Sequence, residues 1–223
     1  MNSINHAATA LVVKRFAPGV PFVPLLISVQ LIEFIWVGLN LIGVERTQFD
    51  ADATTIADMH LVHMPFSHSI AFTMLWAAIA WIVVAAMWKQ PKWGFAIAVG
   101  IMSHIILDAL IHVPDVEIIP FLGWPELGTG IYGIPLLAFA VELAYGVFVW
   151  WIARGNMTML IGLCLLNLSS ISFYVTAIAG PEVMLAGRPD WLAMFIGGHI
   201  VIGLAAVYWI YTRQDNLDPM AAQ

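Results

Sequence analysis

Charged side chains are scarce in this sequence, and their scarcity decides the class of protein. Only 10% of the 223 residues are Asp, Glu, Lys or Arg, whereas 61% are hydrophobic. A soluble domain carries about 25% charged residues, so this chain belongs in a membrane. Basic residues form no cluster, which argues against nucleic acid as a partner. Cys164 is the single cysteine, which excludes an internal disulfide.

Long apolar runs divide the chain into segments that match the thickness of a bilayer, which a helix of about 20 residues crosses. Six segments qualify: residues 22–44, 69–88, 93–112, 131–153, 157–179 and 191–211. The sequence therefore predicts one all-α domain over residues 1–223, a polytopic membrane bundle of six transmembrane helices. The N-terminal stretch shows no signal-peptide cleavage site, and we expect it to be retained.

The distribution of Lys and Arg predicts the orientation of these spans, because basic residues concentrate in cytoplasmic loops. Six of them fall on one side of the predicted bundle: Lys14, Arg15, Lys89, Lys92, Arg154 and Arg213. The opposite side has Arg46 and Arg188. We therefore expect both termini in the cytoplasm and the loops 45–68, 113–130 and 180–190 on the outer side.

Ionisable residues inside the spans indicate a functional site, because they are costly in lipid. They are Glu33, His104, Asp108, Glu142 and His199. At about 1.5 Å per residue, Glu33 and His104 lie about 16 Å from the cytoplasmic ends of their helices, and Glu142 and His199 reach a similar depth. Asp108 follows His104 by one turn on the same helix face.

Three further histidines approach this level from outside the spans. His63 and His68 precede the second span in "HMPFSHS", and His6 precedes the first span in "NHAATA". If residues 5–13 form a helix that ends at the cytoplasmic surface, His6 reaches about 12 Å into the membrane and joins the other groups. The alternative is an amphipathic helix on the membrane surface with His6 in water.

The predicted spans contain no Lys or Arg at depth, so ion pairs cannot neutralise the buried carboxylates. The carboxylates therefore stay protonated, face water or bind a metal cation. Imidazole next to carboxylate favours the metal, since these are the usual ligands of zinc and also suit manganese and iron. A plain polar contact that fixes helix packing is the competing interpretation.

The same motifs resemble those of bacterial inner-membrane proteins grouped as membrane-bound metal-dependent hydrolases. That family has an N-terminal "GH", an acid in the first span, "H-x-x-x-[ST]-H-S" and "SH-x-x-x-D". The counterparts here are "NHAATA", "LIEF", "HMPFSHS" and "SHIILD", all within residues 1–153. Asn5 replaces the glycine, Glu33 replaces an aspartate, and the histidine pair is one residue further apart. Residues 154–223, with two further predicted spans, carry no motif of this family.

The resemblance implies a multi-pass protein of the bacterial inner membrane with metal-dependent hydrolase activity. The predicted site opens to the outer half of the bilayer, and this position favours an ester or phosphoester of a lipid or lipid-linked substrate. The expected metal ligands are His6, His63, His68, His104 and Asp108, with Glu33 as the general base. Zinc is the expected divalent metal, with manganese and iron as alternatives. Two other classes of function stay open: a metal-ion or proton transporter, and an accessory subunit that binds a cofactor in a larger membrane complex.

Overall fold

A computed structural model describes residues 1–49, 54–185 and 188–214. The described residues form eight α-helices: α1 (Ser3–Phe16), α2 (Phe22–Leu41), α3 (Ile70–Trp88), α4 (Pro91–Ala109), α5 (Pro135–Ala153), α6 (Met157–Ser169), α7 (Pro181–Met184) and α8 (Pro189–Tyr211). Two strands, β1 (Arg46–Phe49) and β2 (Met59–His63), pair as an antiparallel hairpin between α2 and α3. The predicted all-α membrane bundle is confirmed.

Five of these helices are long and apolar enough to cross a bilayer: α2, α3, α4, α5 and residues Trp191–Tyr211 of α8. Proline occupies the first turn of α4, α5 and α8, where its missing N–H costs no hydrogen bond. Side-chain oxygens of Asn2, Ser69 and Asn156 cap the N-termini of α1, α3 and α6. Sequence and local chemistry therefore agree on where these helices begin.

The predicted span over residues 157–179 is wrong in its length. Helix α6 ends at Ser169 and is followed by a 3₁₀ turn, Ile171–Phe173. Its 13 residues extend about 20 Å, short of the hydrocarbon thickness of about 30 Å. The side chains of Asn167 and Ser169 donate hydrogen bonds to carbonyls of their own helix, and Ser170 is the residue at which the helix stops. Such side chains compete with helical backbone bonding, which favours an early end.

Helix α1 is the central helix of the bundle, although it is too short to count as a span. Most of its side chains are buried, and it contacts α2, α4, α5, α6 and α8. The segment "AATA" supplies small side chains, which let membrane helices approach closely. This arrangement decides between the two alternatives for His6, because the His6 side chain is fully buried in the bundle.

The basic residues mark one end of this bundle. Lys14 donates hydrogen bonds to the carbonyls of Pro18 and Val20, and Arg213 stacks on Trp209. The positive-inside rule assigns this end to the cytoplasm. Residue 1 itself lies next to Asp108 rather than at the cytoplasmic surface, so the prediction for the N-terminus holds for Lys14 and not for Met1. Residues 215–223 are outside the described part of the chain.

Helix α3 contacts α4 through a glycine. A Cβ on Gly94 would lie 2.5 Å from Trp81 Cδ1 and 2.6 Å from the Trp81 carbonyl oxygen. Because one of these neighbours is backbone, Gly94→Ala must displace one helix from the other. We expect a loss of about 1–3 kcal/mol in stability, typical of overpacking, measured as a lower thermal unfolding midpoint in detergent.

Gly198→Ala in α8 is the matched control, since a Cβ there meets nothing within 4 Å. Equal midpoints for both variants would contradict the close contact between α3 and α4.

Candidate metal centre

The candidate site is built around one carboxylate, Asp108, which is 1% exposed in the interior of the bundle. His6 Nε2 lies 3.0 Å from Asp108 Oδ1, and His104 Nε2 lies 3.2 Å from Oδ2. His68 Nε2 approaches Oδ2 to 3.8 Å, and His112 Nε2 approaches Oδ1 to 3.8 Å. Four imidazoles from α1, α4 and the flanking loops therefore converge on one side chain.

His104 is oriented by the backbone of a neighbouring helix. Its Nδ1 lies 3.0 Å from the Val29 carbonyl oxygen of α2. A carbonyl accepts, so Nδ1 carries a proton, and Nε2 is the ring nitrogen that faces the cluster. His6 stacks on His104 with ring centroids 3.8 Å apart, which fixes both rings.

Glu33 reaches the cluster from α2. Its Oε1 lies 3.7 Å from His104 Nε2, and its side chain is 15% exposed. This contact agrees with the equal depth predicted for Glu33 and His104. Two overlapping sets of residues bring ligand atoms within 4.8 Å of one another: His6, His104 and Asp108, and Glu33, His68 and His104. The two sets share His104, so their ligand atoms lie around one place in the bundle.

The cluster fits a cation because two of its buried atoms are left without partners. His104 Nε2 and Asp108 Oδ2 have no hydrogen-bond partner among the described residues, although they lie 3.2 Å apart. With Nε2 deprotonated, both atoms offer lone pairs, and an unpaired polar atom in a membrane interior costs several kcal/mol. A divalent ion would satisfy both atoms. Nitrogen and oxygen donors of this kind suit zinc, and also manganese and iron.

His68 is held by a chain of hydrogen bonds that the sequence did not reveal. Its Nδ1 donates to Ser67 Oγ over 2.8 Å, and Ser67 donates to the Glu45 carboxylate. Glu45 also accepts the backbone N–H groups of Phe66 and Ser67. This chain leaves His68 Nε2 free to face Asp108. Carboxylates that orient a histidine ligand in this way raise its basicity.

Burial shifts the pKa values of His68 and Glu45, at the two ends of this series of hydrogen bonds, in opposite directions. Loss of solvent lowers the pKa of His68 to about 3, so the ring is neutral at pH 7. A neutral imidazole is the form that binds metal. Burial also raises the pKa of Glu45, and the hydrogen bonds from Ser67 and Phe66 act against that rise.

The structure does not bring His63 to the cluster. His63 is exposed on β2, pairs with Arg46 and has Phe121 as its ring neighbour, with centroids 6.4 Å apart. The four residues between His63 and His68 include a turn after β2, which separates the two rings. The prediction of His63 as a metal ligand therefore has no support from the geometry.

Glu142 and His199 belong to different surroundings. Glu142 is fully buried and accepts hydrogen bonds from the Asn2 backbone, the Asn5 side chain and the hydroxyls of Tyr132 and Tyr174. It therefore anchors α1 next to His6. His199 lines a cavity on the other side of Glu33. The two residues, predicted at one depth with Glu33 and His104, do not form a pair.

Comparison with known proteins places the chain in a family. A family model described as YdjM inner membrane protein matches residues 1–179. The chain belongs to the YdjM inner membrane protein family. Together with its five apolar helices, this membership makes it a multi-pass inner membrane protein. Searches of curated proteins and of solved structures found no significant match.

The YdjM match contains every member of the histidine cluster and ends before α8. It confirms the inner-membrane part of the resemblance drawn from the sequence. The metal-dependent hydrolase part stays a prediction.

His104→Ala and Asp108→Ala each remove an atom shared by several cluster contacts. We expect the purified protein to bind a divalent metal and both variants to lose it, as counted by inductively coupled plasma mass spectrometry after reloading with zinc. His63→Ala is the matched control and keeps the metal, because His63 lies outside the cluster. A wild-type protein that stays metal-free after reloading would refute the site.

Ser67→Ala breaks the chain from Glu45 to His68 without touching a ligand atom. We expect zinc affinity to fall by about 10–100-fold, the usual effect of losing such support, measured by competition with a fluorescent chelator. Ser103→Ala is the control, because Ser103 also precedes a cluster histidine but bonds to the Gly100 carbonyl of its own helix. Equal losses in the two variants would contradict the proposed support.

Proposed function

We propose that this protein is a metal-dependent hydrolase that cleaves an ester or phosphoester of a membrane lipid or lipid-linked substrate. The observation that carries the proposal is the pair of unpartnered buried atoms, His104 Nε2 and Asp108 Oδ2; the Met1 amino group is paired with the other oxygen of Asp108, Oδ1, and leaves this pair unsatisfied. Ion or proton transport is the weaker proposal, because it would use the four groups predicted at one depth, and one of them, Glu142, is engaged by hydrogen bonds from Asn2 and Asn5.

His6, His104 and Asp108 would hold the metal, with His68 as a further ligand from the outer side. A divalent cation bound there would supply Lewis acidity toward the scissile group and would acidify water. The cluster is supported from the outer end of the bundle by Glu45 and His112. This position favours a substrate that enters from the outer half of the bilayer.

Glu33 is the proposed general base. Its carboxylate contacts His104 on one side and lines the neighbouring cavity on the other. In that place it can accept a proton from the water that attacks the acyl carbon or phosphorus. The bond from that atom to the alkoxy oxygen then breaks, and Glu33 returns the proton to the leaving alkoxide. One water is consumed, and an acid and an alcohol are formed.

Glu33→Gln keeps the size of the side chain and removes its basicity. We expect kcat for hydrolysis of a neutral lipid ester to fall by about 10²–10⁴-fold, the usual contribution of a general base, while the bound zinc is retained. Turnover is measured with zinc-loaded protein in detergent, and a chelator-treated sample gives the background rate.

Glu126→Gln, an exposed loop acid, is the control and keeps full activity. Full activity in Glu33→Gln would exclude Glu33 as the base, and loss of zinc from that variant would make Glu33 a ligand instead.

A further inference from the structure

A second feature lies beside the metal cluster: a cavity of about 90 Å³ between α2, α8 and the turn that follows α6. Glu33 forms the wall that faces the cluster. Its other walls include Tyr132, Ser170, Tyr174, Leu192 and His199. The turn that follows α6 contributes Ser170, Phe173 and Tyr174 to its wall.

The cavity has an unused hydrogen-bonding group. Ser170 is 1% exposed, and its Oγ has no hydrogen-bond partner within the described part of the chain. A buried hydroxyl without a partner costs free energy. Because Ser170 lines the cavity, a polar group of a ligand placed there would satisfy it.

The charge of the cavity limits the ligand class. Among the described residues that line it, Glu33 is acidic, His199 is an imidazole and none is Lys or Arg, while the amino group of Met1 is already paired with Asp108 over 2.6 Å. A phosphate or carboxylate in this place would lie next to Glu33 and would have to compete with Asp108 for that amino group, which is costly in a membrane interior. The charge pattern therefore selects an uncharged polar group.

The size and position of the cavity indicate that the uncharged polar group belongs to a ligand with a lipid chain. The volume of about 90 Å³ is well below the roughly 300–1,000 Å³ of pockets that enclose a drug-sized ligand, which suits an ester group and not a whole lipid. Phe195, another wall residue, is 43% exposed on the outer surface of α8. An aliphatic chain attached to the bound group would therefore continue along α8 into the bilayer.

We infer that this cavity binds the uncharged ester group of an acyl lipid, with Ser170 Oγ donating a hydrogen bond to it and Glu33 between it and the metal cluster. The inference rests on the proposed function and narrows its substrate from esters and phosphoesters to carboxylic esters. Part of the site lies on α8, beyond the residues that the family model matches.

Cysteine protection tests the cavity without relying on catalysis. Cys164→Ser removes the native thiol, and Ser170→Cys then places one thiol in the cavity. The probe is 1-decanoylglycerol, the reagent is methyl methanethiosulfonate, and the extent of modification is followed by intact-protein mass spectrometry. With 1-decanoylglycerol at about ten times its Kd, we expect modification to slow by about tenfold.

Ser169→Cys is the matched control, because the neighbouring Ser169 is exposed on the bundle surface and its modification should not change. Decyl phosphate has the same chain with an anionic head and should not protect residue 170. Leu192→Cys, on the opposite wall, gives a second thiol if the first variant does not fold.

Two results would overturn the inference: equal protection by decyl phosphate, or no protection of either cavity thiol. A cavity thiol that never reacts while Ser169→Cys does would also overturn it, since small neutral molecules would then be excluded. The proposed function fails separately, through absent metal-dependent hydrolysis. Protection without hydrolysis would leave a lipid-binding cavity, and hydrolysis without protection would leave an enzyme with another substrate site.

Discussion

The burial of Asp108 in a membrane bundle is the constraint on which the rest of the structure depends. A carboxylate at this depth is costly unless positive or hydrogen-bonding groups surround it. The Met1 amino group meets part of this need, 2.6 Å from Asp108 Oδ1. Imidazoles meet the rest from several directions: His6, His68, His104 and His112 all direct Nε2 toward the two oxygens. Their convergence holds the N-terminal helix and the outer loops against α4.

Helix α1 depends on the same centre. A helix of 14 residues with Asn, His and Thr in its first half is a poor candidate for a membrane interior. It is stable there because each of these side chains has a partner. Asn5 bonds to Glu142 and Asn167, and Thr9 bonds to Tyr145. Polar contacts between membrane helices each contribute about 1 kcal/mol, and here they position His6.

Glu33 belongs both to the cluster and to the wall of the neighbouring cavity. This double position suits the general base of a hydrolytic site. One face of the Glu33 carboxylate approaches His104, and the other lines a cavity beneath the surface of α8. A base placed between a metal site and a substrate site can transfer protons without moving far. The end of α6 is part of this arrangement, because the turn that follows it supplies Ser170 to the wall of the cavity.

The sequence by itself determined the membrane class, five of the spans and the common depth of Glu33 and His104, because scarcity of charge and helical rise act locally along the chain. It also placed His104 and Asp108 on one helix face. Only the tertiary structure decided that His6 is inside and His63 outside, since both depend on how short segments fold against distant helices. The role of Glu45, linked to His68 through Ser67, likewise arises from a loop contact across 22 residues that no periodic pattern encodes.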